Sequence, residues 1–358
     1  MPRRLRRRIA ACCGVLALLG ACRPPTPPFR AELLVFGGPA SVEFRGVAGS
    51  RAEAVLAELA ALFATLGHDW HPWQPGALVD LNTALSAGMA SRPPPSLLDL
   101  IERSRLLRTA SGGLYDPAVG GLVRLWGFHT SDYPIRTPPP DAIALERWLD
   151  SDPSLEQLVV DGDGTVRTSN PAVQLDFNAI AEGVAAERAA ELLQQHGVAD
   201  ALLSLGGDVL ALGRAGERPW RVALRDPFGS VLAAVDLSGR EALFTSGNYN
   251  KYRNDPDGSR RPHLLDPRSA RPATGVAAVS VLHPDPVLAD AAATALFIAG
   301  PDHFPTLAAR MHIGCALLLT TNDHLLLLPA MQPRLTLHRQ PARTTVVSGI
   351  PRCSNDSQ

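Results

Sequence analysis

From residue 158 onward the chain is a succession of short β-rich runs broken by two helical stretches, and that order constrains its fold most. Strand-like runs cover residues 158–161, 173–177, 201–205, 208–212, 220–225, 242–244 and 277–283, with a final pair at 315–320 and 325–328. The helical stretches cover 181–195 and 286–299, stopped by Gly197 and Gly300, because glycine accepts the left-handed turn that ends a helix. Upstream, residues 31–47 read as a hairpin turned at Gly37-Gly38-Pro39, and residues 51–66 set Val55, Leu59, Leu62, Phe63 and Leu66 at helical spacing. Ser96 with Asp99 resembles a capping arrangement for a helix reaching about residue 110 and ending at Gly112-Gly113. A short helix is expected at 141–149, after three consecutive prolines. No regular βαβ alternation and no repeat of 20–50 residues occurs, so the fold class is α+β.

The first segment reads as an address. Five arginines lie in residues 1–8, an apolar run fills 9–19, and Leu19-Gly20-Ala21-Cys22 follows. A basic head, a short apolar core and small residues before a break describe a secretory signal, and the apolar run is shorter than a bilayer-spanning helix. The Leu-Gly-Ala-Cys ending resembles a lipobox, which predicts cleavage before Cys22 and lipid on its sulfur. The expected division is therefore a lipoprotein signal at 1–21, a proline-rich tether at 22–30, a folded domain at 31–338 and a polar, fraying tail at 339–358. Loss of residues 1–21 removes five arginines and no acid, which moves the formal charge from −1 to −6. Cys315 sits in an apolar run and Cys353 in the polar tail, so neither a structural disulfide nor a cysteine-built zinc site is expected.

Composition excludes several chemistries. Lys251 is the only lysine, and it follows Asn250, so no Walker-type phosphate loop is present. No Gly-x-Ser-x-Gly elbow occurs, which leaves an α/β-hydrolase nucleophile without support. No basic stripe follows residue 8, so nucleic acid is not an expected partner.

Asp290 and Thr294 carry the sharpest chemical signal. They stand four residues apart on an alanine-rich helix, so a carboxylate and a hydroxyl share one otherwise apolar face. Such hard oxygens suit Mg²⁺; an acidic residue favoured by the helix dipole and a threonine bonded to a backbone carbonyl fit the same spacing. A second cluster runs Asp176-Phe177-Asn178-Ala179-Ile180-Ala181-Glu182-Gly183, where a strand gives way to a helix. Its carboxylates either face a ligand or polarise the helix start. Thr245-Ser246-Gly247 is a donor-rich turn, and Gly206-Gly207-Asp208 is one of several glycine turns. His263 lies beside an exposed polar loop, whereas His68-Asp69-Trp70-His71 reads as a solvated loop with an aromatic anchor.

In order along the chain, Gly113-Leu114-Tyr115-Asp116-Pro117-Ala118-Val119-Gly120-Gly121, Leu125-Trp126-Gly127-Phe128, the 176–183 cluster, Leu205-Gly206-Gly207-Asp208, Thr245-Ser246-Gly247, residues 263–267, and Asp290 with Thr294 resemble the FAD:protein FMN transferase (ApbE-like) family. The resemblance implies a two-lobed α+β fold of mixed and antiparallel sheets with a flavin cleft between the lobes. It implies an enzyme that splits FAD, attaches FMN to a threonine or serine of an acceptor protein and releases AMP. Mg²⁺ would be held by the Ala179 carbonyl, Asp290 and Thr294, with the Ala293 carbonyl as a further oxygen. Flavin contacts would fall on Phe36, Trp73, Leu114, Tyr115, Asp116, Asp176, Glu182 and Leu265, and His263 would act as base. Departures include Phe36-Gly37-Gly38-Pro39 in place of Met-Gly-Thr, and a missing aspartate after Trp73. Alternatives are a FAD pyrophosphatase and a lipoprotein that binds FAD without chemistry. The acceptor is expected to be a membrane redox subunit or an exported flavoprotein, with the enzyme lipid-anchored on the periplasmic side of the inner membrane. With one lysine, the phosphates would be met by metal, backbone amides and arginines.

Overall fold

The computed structural model describes residues 27–353 except 230, 256, 257 and 259; the signal segment and Cys22 lie outside the described residues. Nine strands form the central sheet in the order Phe29–Val35, Gly38–Phe44, Ala201–Leu205, Asp208–Leu212, Glu241–Gly247, Val276–His283, Ala316–Thr320, His324–Leu327 and Arg343–Val346. All neighbours are antiparallel except the last pair. Period-2 alternation lets both faces of this sheet bury apolar groups. Leu210, Phe244 and Leu318 point into a core shared with the helices, while Val209, Leu243 and Leu317 point into a second core. That second core is closed by a three-stranded sheet of Trp220–Arg225, Val231–Leu237 and Leu335–Leu337. Helices Ser50–Trp70, Asn178–Gln195 and Pro286–Arg310 cover the opposite face. A separate small core of Leu122, Trp126, Phe128, Ile135, Leu145 and Trp148, joined by Leu265 and Ala270, makes the second lobe.

Several expectations change. Residues 173–177 form no strand; only Gln174 bridges to Val119 before the helix begins at Asn178. The helix through residues 51–66 continues past Gly67 to Trp70, so His68-Asp69-Trp70 is helical and Trp70 is a buried anchor. Ser96 does not cap the next helix, which starts at Pro95 behind Pro94; its hydroxyl donates to Asp69 instead (3.3 Å). An unforeseen helix, Ala77–Ser86, follows the first. Gly300 breaks the long helix as its φ of 73° requires, but a second helical segment continues to Arg310.

The two ends of the domain are more ordered than the sequence suggests. Phe29 and Arg30, placed in the tether, belong to the first strand. The described part of the tail, to residue 353, is tied down: Arg343–Val346 adds a parallel edge strand, and Arg339 bridges Asp226 and Asp323. Cys315 and Cys353 form a disulfide with their Cα atoms 4.6 Å apart, contrary to expectation. The entry to the buried strand Ala316–Thr320 and a returning tail bring together residues 38 positions apart. The tail presses so closely that a Cβ at Gly314 would lie 1.6 Å from the Arg352 carbonyl oxygen.

Candidate active site

Helix–helix crossing sets the acidic wall of the cleft between the lobes. Helices Asn178–Gln195 and Pro286–Arg310 touch at Gly183, where a Cβ would meet the Pro286 carbonyl oxygen at 2.7 Å and Val287 Cα at 2.9 Å. This approach lets the Gly183 N–H donate to Asp290 Oδ2 (2.9 Å). Asp290 and Thr294 are 7% and 8% exposed, so a carboxylate and a hydroxyl one turn apart are buried on a helix otherwise packed with alanine. Ile298 continues the stripe into the cleft. The Thr294 and Ser246 hydroxyls are 3.1 Å apart, which ties the helix to the end of strand Glu241–Gly247.

Two further carboxyls complete this wall. Asp208 Oδ1 accepts the Thr245 N–H (2.6 Å), and the Glu182 carboxyl is close enough to repel its charge. Burial raises the proton affinity of Glu182, Asp208 and Asp290 above the ordinary carboxylate range. Mutual repulsion then adds to burial at Asp208 and Asp290. Such a set is relieved by a divalent cation with a preference for oxygen. Among the described residues no three His, Cys, Asp or Glu side chains form a ligand cage, so a cation here would need hydroxyl, carbonyl or substrate oxygens as well. Asp290, Thr294 and Ala179, all on the cleft surface, fit that requirement.

The other wall is aromatic. Trp73 stacks on His129 (5.2 Å between centroids, 22° between planes), and His71 meets the Trp73 edge at 4.4 Å. His71 Nδ1 accepts the N–H groups of Trp73 and Gln74, which fixes the loop carrying the indole. His129 also reaches Asp176 Oδ2 (3.3 Å). Leu114, Tyr115, Asp116, Asp176 and Leu265 line the cleft with Trp73 and Glu182. Asp116 is held by Arg108 (2.5 Å) and by the N–H groups of Ala118 and Leu155, so it braces the loop that presents Tyr115. Burial raises its pKa despite these partners.

His263 faces this space from a two-stranded ribbon, Tyr252–Asn254 with Arg260–Pro262. Its Nδ1 lies 3.2 Å from the Lys251 carbonyl oxygen. A carbonyl can only accept, so Nδ1 carries the proton and Nε2 offers its lone pair. The residue is half-buried and lines the cleft; burial first, then the Lys251 charge, lowers its pKa to about 3.

One expected flavin contact does not line the cleft: Phe36 is turned back by a φ of 48° and stacks on Trp70. Ala293, expected through its carbonyl, has its side chain buried within the helix layer. The sequence reading also missed Asp208, His129 and Lys251 as parts of the site. Asp208 stood in a motif treated only as a glycine turn. Among the described residues no arginine lines the cleft, and Lys251 supplies its fixed positive charge.

A buried acidic wall, a hydroxyl, a neutral imidazole and an aromatic wall around one cleft define a site for transferring a group from an anionic, ring-bearing substrate. The ApbE family model matches residues 36–319. The chain is 43% identical over 363 residues to a Rhodobacter capsulatus protein named FAD:protein FMN transferase, covering 97% of this chain and 68% of that one. A Klebsiella pneumoniae protein of the same name is 31% identical over 309 residues, covering 82% of this chain and 87% of that one. Among solved structures, the apo flavinyl transferase ApbE of Pseudomonas stutzeri superposes with a TM-score of 0.71 at 28% identity, covering 82% of this chain and 91% of that one. The chain belongs to the ApbE family.

Proposed function

We propose that this cleft transfers FMN from FAD to a hydroxyl of an acceptor protein, the activity in the names of its relatives. The observation that carries this reading is the convergence of Asp290 and Thr294 with His263 beside an aromatic wall. The acceptor hydroxyl oxygen bonds to the FMN phosphorus as the pyrophosphate P–O bond breaks. AMP leaves with the bridging oxygen and its electron pair, and the hydroxyl proton passes to His263 Nε2. The neutral imidazole is in the form needed to take that proton. Trp73, stiffened by His71 and His129, offers a flat face for the ring system. Held by Asp290, Thr294 and the Ala179 carbonyl, with the Ala293 carbonyl as a further oxygen, Mg²⁺ would neutralise pyrophosphate charge.

The acceptor would be a membrane redox subunit or an exported flavoprotein, and lipid on Cys22 would hold the enzyme on the periplasmic side of the inner membrane. The Cys315–Cys353 disulfide supports an oxidising compartment. Cys22→Ser should move the protein from the membrane fraction to the soluble one; retention in the membrane would reject the lipid anchor. The test of function is incubation with FAD, Mg²⁺ and an acceptor domain, followed by mass spectrometry. An FMN-sized gain on the acceptor is expected. AMP and free FMN without that gain would point to hydrolysis, and intact FAD would reject both enzymatic readings.

A further inference from the structure

We infer that Lys251 is a further catalytic residue, whose ammonium meets the pyrophosphate of FAD and the charge that collects on AMP as it leaves. The inference rests on the flavin-transfer reading above. Lys251 is the only lysine among 358 residues. The described residues of the cleft include the carboxyls of Asp116, Asp176, Glu182, Asp208 and Asp290; Asp116 is paired with Arg108 behind it, and Lys251 is the only fixed cation among the described lining residues. An anionic pyrophosphate entering an acidic cleft of low dielectric is repelled unless positive charge is placed inside it.

Nearby arginines already have partners: Arg108 pairs with Asp116 and Glu156. Arg253 is buried and donates to the carbonyls of Trp126 and Thr137. Arg260 lies over Tyr252, Arg261 pairs with Asp255, and Arg225 lies over Tyr249. The Lys251 side chain is instead exposed to the cleft.

Its position is fixed by the same ribbon that holds the base. Tyr252 pairs with Pro262, so Lys251 stands across from His263, and the Lys251 carbonyl accepts the His263 backbone N–H (3.1 Å). The group that takes the hydroxyl proton and the group that meets phosphate charge are thereby held opposite each other. The ammonium field also reaches the far wall, where it favours the ionised forms of Glu182 and Asp290. A lysine meets phosphate as a mobile point charge, which suits a charge that shifts along the pyrophosphate during the reaction.

The test compares wild type with Lys251→Met and Lys251→Arg. Binding of ADP and of adenosine is measured by calorimetry, and FMN transfer by acceptor mass. Lys251→Met should lose about tenfold to a hundredfold in ADP affinity and about a hundredfold in kcat, with adenosine affinity unchanged. Lys251→Arg should recover most of the ADP affinity, because it restores the charge. Equal affinities of wild type and Lys251→Met for ADP would overturn the proposal, as would equal losses for ADP and adenosine, which mark a structural role. If Lys251→Met fails to fold, Lys251→Gln replaces it under the same criteria. Absence of transfer by wild type would sink the flavin-transfer reading alone, since the ADP comparison does not depend on it.

Discussion

At the scale of single residues, the electrostatics of the cleft make two pH predictions. His263 is held neutral by burial, with its pKa lowered from 6.5 to about 3. A base with that value stays deprotonated as pH falls from about 7 to 5, so kcat/KM should show no inflection from this imidazole in that range. An acid limb near 6.5 that disappears in His263→Ala would refute the assignment. Asp290 behaves oppositely: its folded pKa is raised, so the native state binds a proton more tightly than the unfolded chain. The metal-free protein should therefore lose stability as pH rises from the ordinary carboxylate range through the raised value. Asp290→Asn removes that loss. Its Tm advantage over wild type in EDTA should grow with rising pH, and a constant difference would count against a strained carboxylate.

At the scale of elements, the crossing of two helices holds Asp290 in place. A methyl group at Gly183 would meet backbone atoms at 2.7 and 2.9 Å, and backbone cannot rotate aside as a side chain can. Gly183→Ala should cost about 1–3 kcal/mol in urea denaturation, in line with overpacking of a tight contact. Because the Gly183 N–H donates to Asp290, the same variant should need more Mg²⁺ for half-maximal transfer. Unchanged stability would mean that the helices part without cost. The pairing of Asp290 with Thr294 was legible beforehand because helical spacing is local: four residues are one turn wherever the helix packs. The glycine that lets the second helix approach was visible only as part of a motif, since nothing in the sequence states which backbone lies against it.

At the scale of the whole molecule, the disulfide joins the tail to the residue that enters a buried strand of the central sheet, and neither cysteine lines the cleft. Cys353→Ser should lower stability by about 2–4 kcal/mol, as expected for opening a loop of this length, and leave FMN transfer unchanged when the protein is folded. A Tm equal to that of wild type under oxidising conditions would show that the bond adds nothing.

The sequence alone determined the α+β class, most of the β-rich runs, the Asp290–Thr294 face and the ordered motifs, because each depends on neighbours within a few residues. Only the tertiary structure decided that Phe36 turns away to stack on Trp70, that Asp208 joins Glu182, and that Cys315 meets Cys353. These depend on sheet order and helix crossing, which bring distant segments together and leave no periodic trace in the chain. Lys251 shows the difference most plainly. Its rarity excluded a phosphate loop from the outset, but its value as a charge arises from the carboxyls of Asp176, Glu182, Asp208 and Asp290, which the fold gathers in the same cleft.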